Sequence, residues 1–390
     1  MKKIMVLALA VALVGAFVMP VAALENEFGG YWRTRAVIQT NFTGEDQSKA
    51  WDDSFVDSRT RLYYTAKINQ DLKLVNKFEI NAAWGNAYGG TIGTDGRTIF
   101  RIKQTYADFN IPDAPLNFKV GLQEATIGRG FLFNDDFAGA TVTFKGEGFS
   151  VPLMWIKAYE GGKGAANKTG DVDYYVLAPS FSANEMVKIT PYFMWAYSDK
   201  ASAWAAGILH APYLNSSSPD TKTYATDKLG VFDKTSIYYV GLDVDAKFDM
   251  GNVWFTGIYQ TGTGDLSAAS AVGKTYNSVD FQAYLAAVGA KADMGMADIH
   301  GQFFYASGKD KDDSSDKFKA FFVPSQSDSS GQSYYWAEIM GYGIFDSAAD
   351  VGESGMGPYN TSAHTCADKI SNIMVGNLGT TYKPMKELSL

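Results

Sequence analysis

Segments of ten or more residues that alternate polar and apolar side chains recur along the whole chain, and no stretch of comparable quality shows helical spacing. In residues 57–68, Asp57, Arg59, Arg61, Tyr63, Thr65 and Lys67 fall on one side; Ser58, Thr60, Leu62, Tyr64, Ala66 and Ile68 fall on the other. Successive side chains of a strand point to opposite faces of a sheet, so this is a strand with one wet and one oily face. The same alternation runs through 31–42, 72–84, 99–110, 116–123, 139–145, 149–160, 172–182, 186–198, 238–248, 252–262, 278–292, 296–307 and 372–383.

The links between these segments are sorted by length. "NQD", "PDAP", "GEG", "ANE", "DMG", a second "DMG" and "PMK" are short, whereas 43–54, 86–97, 126–138, 161–171, 199–234, 263–277 and 308–371 are long, and the two kinds alternate. A β-sandwich has no reason to place long loops at one end and short ones at the other; a transmembrane barrel does. Most segments are long enough to cross a bilayer at a tilt, which takes roughly 9 to 11 residues, and exceed the usual soluble strand of about 5 to 6. Aromatics stand near the ends of the oily faces (Trp32 and Phe42, Tyr64, Trp84, Phe100 and Tyr106, Tyr238 and Phe248), where headgroup-level girdles are expected. The oily face is therefore read as meeting lipid. In a bilayer, strands satisfy every backbone hydrogen bond only in a closed barrel.

The expected fold class is an all-β transmembrane antiparallel β-barrel. Fourteen strands are readable and "ELSL" at 387–390 resembles the start of a fifteenth; even strand numbers being the rule, the expectation is sixteen in a complete barrel and a chain cut short at its C-terminus. Residues 1–23 read as a signal peptide, with Lys2 and Lys3 ahead of the apolar run Ile4–Val18 and small residues at 21–23, leaving one barrel domain over 24–390. A hydrophobic content of 46% excludes disorder, and a net charge of -8 argues against nucleic acid as a partner. The single Cys366 permits no internal disulfide, and with His364 two residues before it falls short of a metal site, so no cofactor is expected.

The signal peptide, the strand and turn arithmetic and the third long loop resemble the general trimeric porins of Gram-negative outer membranes. "DSRTRLYYTAKINQDLKLVNKFEI", "RIKQTYADFNIPDAPLNFKVGLQ" and "GRGFLFNDDFAGATV" most resemble the homotrimeric porins of sulfate-reducing and related bacteria. The likeness is sharp from about residue 28 to 145. Such porins end on a strand with a terminal aromatic, and this chain ends at Leu390. The resemblance implies an outer-membrane location, lipid and two further copies of the chain as partners, and passage of small hydrophilic solutes and ions.

In such a protein the chemistry lies in the pore lining. All seven arginines fall between 33 and 129. Arg33, Arg35, Arg59, Arg61 and Arg101 lie on wet faces and, with Lys103, make a basic wall; Lys73, Lys77 and Lys119 extend it. Unscreened like charges repel, which points to a water-filled lumen. The third long loop carries Arg129, Asp135 and Asp136, preceded by Glu124. It resembles the loop that narrows the general porins, and its acids are expected to face the basic wall across the constriction, setting up a transverse field. Alternatively the arginines pair with Asp57, Glu79 and Asp108 and hold the wall together. The wall favours anions and the loop acids favour cations.

The expected function is passive, size-limited diffusion through a charged constriction. The alternatives are a channel selective for an anion or oligosaccharide and a non-conducting structural or adhesive barrel. An enzyme is not expected: His210, His300 and His364 lie on separate segments, and no nucleophile or phosphate motif accompanies them. "KDKDDSSDK" at 309–317 lacks the Gly and terminal Glu of an EF-hand and reads as a solvated loop. The aromatic segment 308–371 is long enough to fold over the mouth, contact a neighbouring subunit or stack on sugars.

Overall fold

The computed structural model describes residues 25–39, 53–85, 91–93, 99–160, 171–198, 232–266, 277–308, 315–319, 321 and 372–385. Its strands are β1 (Glu25–Gln39), β2 (Asp53–Lys67), β3 (Leu72–Ala83), β4 (Ile99–Asn110), β5 (Leu116–Ile127), β6 (Phe133–Gly146), β7 (Phe149–Tyr159), β8 (Val172–Leu177), β9 (Ser180–Ser182), β10 (Val187–Ser198), β11 (Phe232–Phe248), β12 (Gly251–Leu266), β13 (Ser278–Asp293), β14 (Ala297–Ala306), β15 (Lys317–Phe318) and β16 (Ile373–Tyr382). All belong to one sheet. Apart from the short β9 and β15, each strand pairs antiparallel with the next one along the chain. The expected all-β architecture is therefore present.

The sheet curls round on itself. Phe131, beyond the end of β5, packs edge-on against Phe304 of β14 at 5.7 Å, and Arg129 reaches Asp245 of β11. Contacts between strands so far apart in the sheet require a barrel with an inside and an outside. Among the described residues no pairing joins β1 to β16, and the seam lies between them.

The outer face is apolar along its length. Trp32, Phe28, Leu62, Phe100, Ile102, Leu153, Tyr259 and Leu378 all point out and are exposed. A water-soluble fold rarely leaves so continuous an apolar surface uncovered. Toward the rim with the long links, Trp155, Tyr175, Trp195 and Tyr238 stand directly opposite one another on β7, β8, β10 and β11. Ring centroids are 5.3 Å apart for Tyr175 and Trp195 and 6.2 Å for Trp195 and Tyr238. The Trp155 indole donates to Asp173 at 2.9 Å, and Lys157 lies 3.4 Å from the same carboxylate, so polarity rises one step beyond the rings.

The inner face has two different halves. From β1 to β5 it carries Arg33, Arg35, Arg59, Arg61, Glu79, Lys103 and Asp108. From β7 to β14 its upper part is buried and apolar, with Ile156, Tyr174, Met194, Tyr239, Phe281, Leu285 and Phe304.

Several elements differ from expectation for identifiable reasons. The segment 172–182 is two strands, because Pro179 has no N–H to donate and interrupts the pairing between β8 and β9. β11 starts at Phe232, where alternation was readable only from 238. The expected third long loop, 126–138, is in large part strand: β5 and β6 stay paired up to Ile127 opposite Phe133. The long segment after β14 does not simply cover the mouth at its start. Its β15 pairs in parallel with the upper end of β13 and places Phe318 inside, against Phe281 at 6.1 Å, while Phe321 packs on Tyr239 at 6.4 Å. The signal-peptide reading (1–23), the fifteenth-strand reading (387–390), Arg97, His210, His364, Cys366 and residues 309–314 lie outside the described residues.

Candidate functional site

Pairing between β4 and β5 runs only from Thr105 opposite Leu122 downward, and that between β6 and β7 from Gly139 opposite Ile156 downward. Above those points the β5–β6 hairpin has lost its neighbours in the wall and leans into the lumen. Its tip is a single 3-10 turn, Gly128–Gly130, in which Gly128, Arg129 and Gly130 all have positive φ (59, 54 and 87°). For Arg129 this left-handed backbone is uncommon. A side chain at 128 would displace Tyr192 of β10, since its Cβ would lie 2.7 Å from the tyrosine hydroxyl.

Both ends of the hairpin are tied down. On the near side, Glu124 accepts from Lys77 at 3.1 Å and from the Gln104 amide at 2.6 Å. Asp136 pairs with Lys103 at 2.5 Å and accepts from Gln104 at 2.9 Å. Asp135 accepts the Asp136 backbone N–H at 2.7 Å. A β-bulge makes this possible. Lys77 opposes Gln104 while Phe78 opposes Ile102, so Lys103 has no partner across the strand pair and joins Gln104 beside the hairpin. On the far side, the Arg129 guanidinium pairs with Asp245 at 2.5 Å and lies 4.7 Å over the Trp254 ring of β12. Phe131, Leu132 and Phe133 complete the far contact by sinking into the apolar half of the inner wall.

The basic wall is a network of shared carboxylates. Asp57 serves Arg35 at 2.8 Å and Arg33 at 3.9 Å; Glu79 serves Arg61 at 2.5 Å and Arg59 at 3.5 Å. Arg59 also donates to Asn81 at 2.9 Å. Lys73 pairs with Asp108 at 3.3 Å. Glu79 is only 1% exposed and Asp57 2%, while the arginines around them keep contact with the lumen. Arg101 stands across from Glu79 in the β3–β4 register. Below this level the wall interleaves cations and rings: Arg61 lies 5.6 Å from the Tyr31 ring and Lys77 5.2 Å from that of Tyr63.

The structure therefore brings the expected wall residues together, and brings Glu124 and Asp136 to them. It does so by direct contact, not across an open gap. The physical reason is that the hairpin lacks wall neighbours above Leu122 and Gly139, so its carboxylates take the nearest donors, which are Lys77, Lys103 and Gln104. Arg129 separates from the other arginines and crosses to Asp245. Gln104 was invisible as a site residue because only the bulge turns it toward the hairpin; Trp254 was invisible because its segment reads as one more strand.

A scan against protein-family models and a search of curated proteins both return no match. Solved structures similar to this one include OccK8 (OprE) of Pseudomonas aeruginosa, at 8% identity and a TM-score of 0.48, covering 93% of this chain and 80% of that one. A porin refined at 1.8 Å is 13% identical with a TM-score of 0.40, over 73% of this chain and 84% of its own. OccAB1 of Acinetobacter baumannii is 10% identical with a TM-score of 0.38, over 73% and 81%. The likeness of the chain to OccK8, OccAB1 and this porin is one of strand arrangement.

Proposed function

We propose that this chain forms an outer-membrane pore for passive, size-limited diffusion of small hydrophilic solutes and ions. One observation carries the reading. A hairpin tied at both ends crosses a barrel whose outside is apolar and whose inside is charged along one half. The apolar half, β7 to β14, is filled at this level by Phe131, Leu132, Phe318 and Phe321. Water and solutes are left with the side lined by β1 to β4, past the arginines. There two carboxylates each serve two guanidiniums, so the wall retains positive charge after pairing. That supports a preference for anions at the wall, with the hairpin acids neutralised by their own lysines. Export through the N-terminal segment and assembly as a homotrimer belong to the same proposal and come from the resemblance.

The test is planar-bilayer conductance of the purified protein under a salt gradient. Steps of equal size arriving in threes, with a reversal potential on the anion side, are the expected result. Protein that inserts into the bilayer and passes no current sinks the reading, and single steps without grouping remove the trimer.

A further inference from the structure

A second feature of the lumen lies beneath the hairpin, toward the rim with the short turns. A cavity of about 550 Å³ is bounded above by Arg129 and at the sides by the lower ends of β12, β13, β14 and β16. Volumes of roughly 300 to 1,000 Å³ are typical of small-molecule sites. From this cavity we infer a binding subsite for a small organic anion, separate from the basic wall of β1 to β4.

The lining has a consistent chemistry. It presents three nitrogen bases, Arg129, Lys291 and His300, together with the amides of Asn252 and Gln302 and the indole of Trp254; among the described residues, none that lines it carries a carboxylate. The acids stand outside the lining and orient the bases. Lys291 is held by two carboxylates, Asp293 at 3.0 Å and Asp298 at 3.1 Å, and Asp298 is also 2.8 Å from Nδ1 of His300. Asp245 holds Arg129 at 2.5 Å. An ammonium has three N–H donors, so Lys291, with two of them on Asp293 and Asp298, keeps one for the cavity.

The rings are seated as firmly. A Cβ at Gly289 would lie 2.4 Å from the Trp254 indole, and one at Gly379 would lie 2.5 Å from Nε2 of His300. Both glycines therefore give the ring on the neighbouring strand a place to lie flat against the wall. A floor of fixed donors and rings of this kind suits a carboxylate or phosphate group carried on a small organic body. An anion of this size would meet donors from three directions, with charge-assisted hydrogen bonds to each.

The subsite takes its source of ligand from the pore reading, and its test does not depend on conduction. Detergent-folded protein is titrated calorimetrically with benzoate, phenyl phosphate and, as the neutral control, benzyl alcohol. Millimolar or tighter binding of at least one anion, with no binding of the alcohol, is expected; whichever anion binds better names the headgroup. Lys291→Met is expected to weaken that binding at least tenfold, and His300→Gln is the alternative variant if the first does not fold. Equal binding of the alcohol, no binding of either anion, or unchanged affinity in a folded variant would overturn the subsite. Binding by protein that never conducts removes the pore and keeps the subsite, and conduction without binding does the reverse.

Discussion

Arg129 at the tip of the β5–β6 hairpin pairs with Asp245 of β11, on the opposite side of the lumen, and lies over Trp254 of the next strand. This contact closes a bridge whose other end rests on Lys77 and Lys103. In the proposed pore this bridge sets the width of the passage, so its two ends have different consequences when cut.

Arg129→Ala removes the far tie and leaves the near one. Asp245 is 37% exposed, so the lost ion pair is worth about 1 kcal/mol or less, and the barrel is expected to fold with a nearly unchanged melting temperature. The tip also loses its hold on Trp254. Open-state current noise should rise and conductance should change in single-channel records. The exchanged pair Arg129→Asp with Asp245→Arg should recover part of the quiet behaviour, and failure of any noise to appear in Arg129→Ala would show that the apolar contacts of Phe131 and Leu132 hold the hairpin unaided.

At the wall, Glu79→Gln is expected to act on both stability and selectivity. Its carboxylate is almost fully buried between Arg59 and Arg61, and removing one partner of a buried charge group typically costs about 3 to 5 kcal/mol. The wall also gains one net positive charge. The reversal potential should therefore move further toward anions as the melting temperature falls. A shift toward cations would mean that this cluster does not face the conducting path.

Gly241 of β11 offers a purely steric handle. A Cβ there would lie 2.2 and 2.3 Å from two ring carbons of Tyr192 and 2.5 Å from its hydroxyl, which in turn sits against Gly128 at the hairpin tip. Gly241→Val must push the tyrosine toward the hairpin, and overpacking of this kind costs about 1 to 3 kcal/mol. Conductance should change without any change in charge. If conductance and melting temperature both match the parent, the ring has another place to go and the tip is not coupled to this wall.

The sequence carried the architecture because alternation with a period of two survives wherever one face of a strand is apolar and the other is polar. The segments 278–292 and 372–383 were legible for this reason and match β13 and β16 within a residue. The same logic fails where a face is buried in protein. In β8, Val172, Asp173 and Tyr174 are all buried in succession, and polarity no longer reports which way a side chain points. The wall arginines were legible as a cluster, since cations at alternate positions of neighbouring strands must share one face and need water or counter-charge beside them. The crossing of Arg129 to the opposite wall was not, because its meeting with Asp245 depends on how far the sheet curls and on where β5 leaves β4. The bulge at Lys103, which decides what Gln104 touches, leaves no mark in composition at all.

The outer row Trp155, Tyr175, Trp195 and Tyr238 allows the membrane placement itself to be tested. Its rings face away from the lumen and stack along the direction across the strands, with Asp173 and Lys157 one step nearer the long-link rim. If the outer face is in lipid, this row sits at the headgroup boundary, where an amphipathic ring is favoured. Trp195→Ala should then lower the stability of the barrel in phospholipid vesicles by about 0.5 to 1.5 kcal/mol from lost ring pairing, in addition to lost burial, as read from urea titration. The same substitution should matter less in a detergent micelle, whose boundary adapts to the protein. Tryptophan quenching by lipids brominated at different depths gives the second reading: the Trp195 contribution, obtained as the difference between parent and variant, should quench best with shallow bromines. Quenching that peaks at the bilayer centre would shift the membrane along the barrel axis, and no quenching by any lipid would mean that another protein surface covers this row.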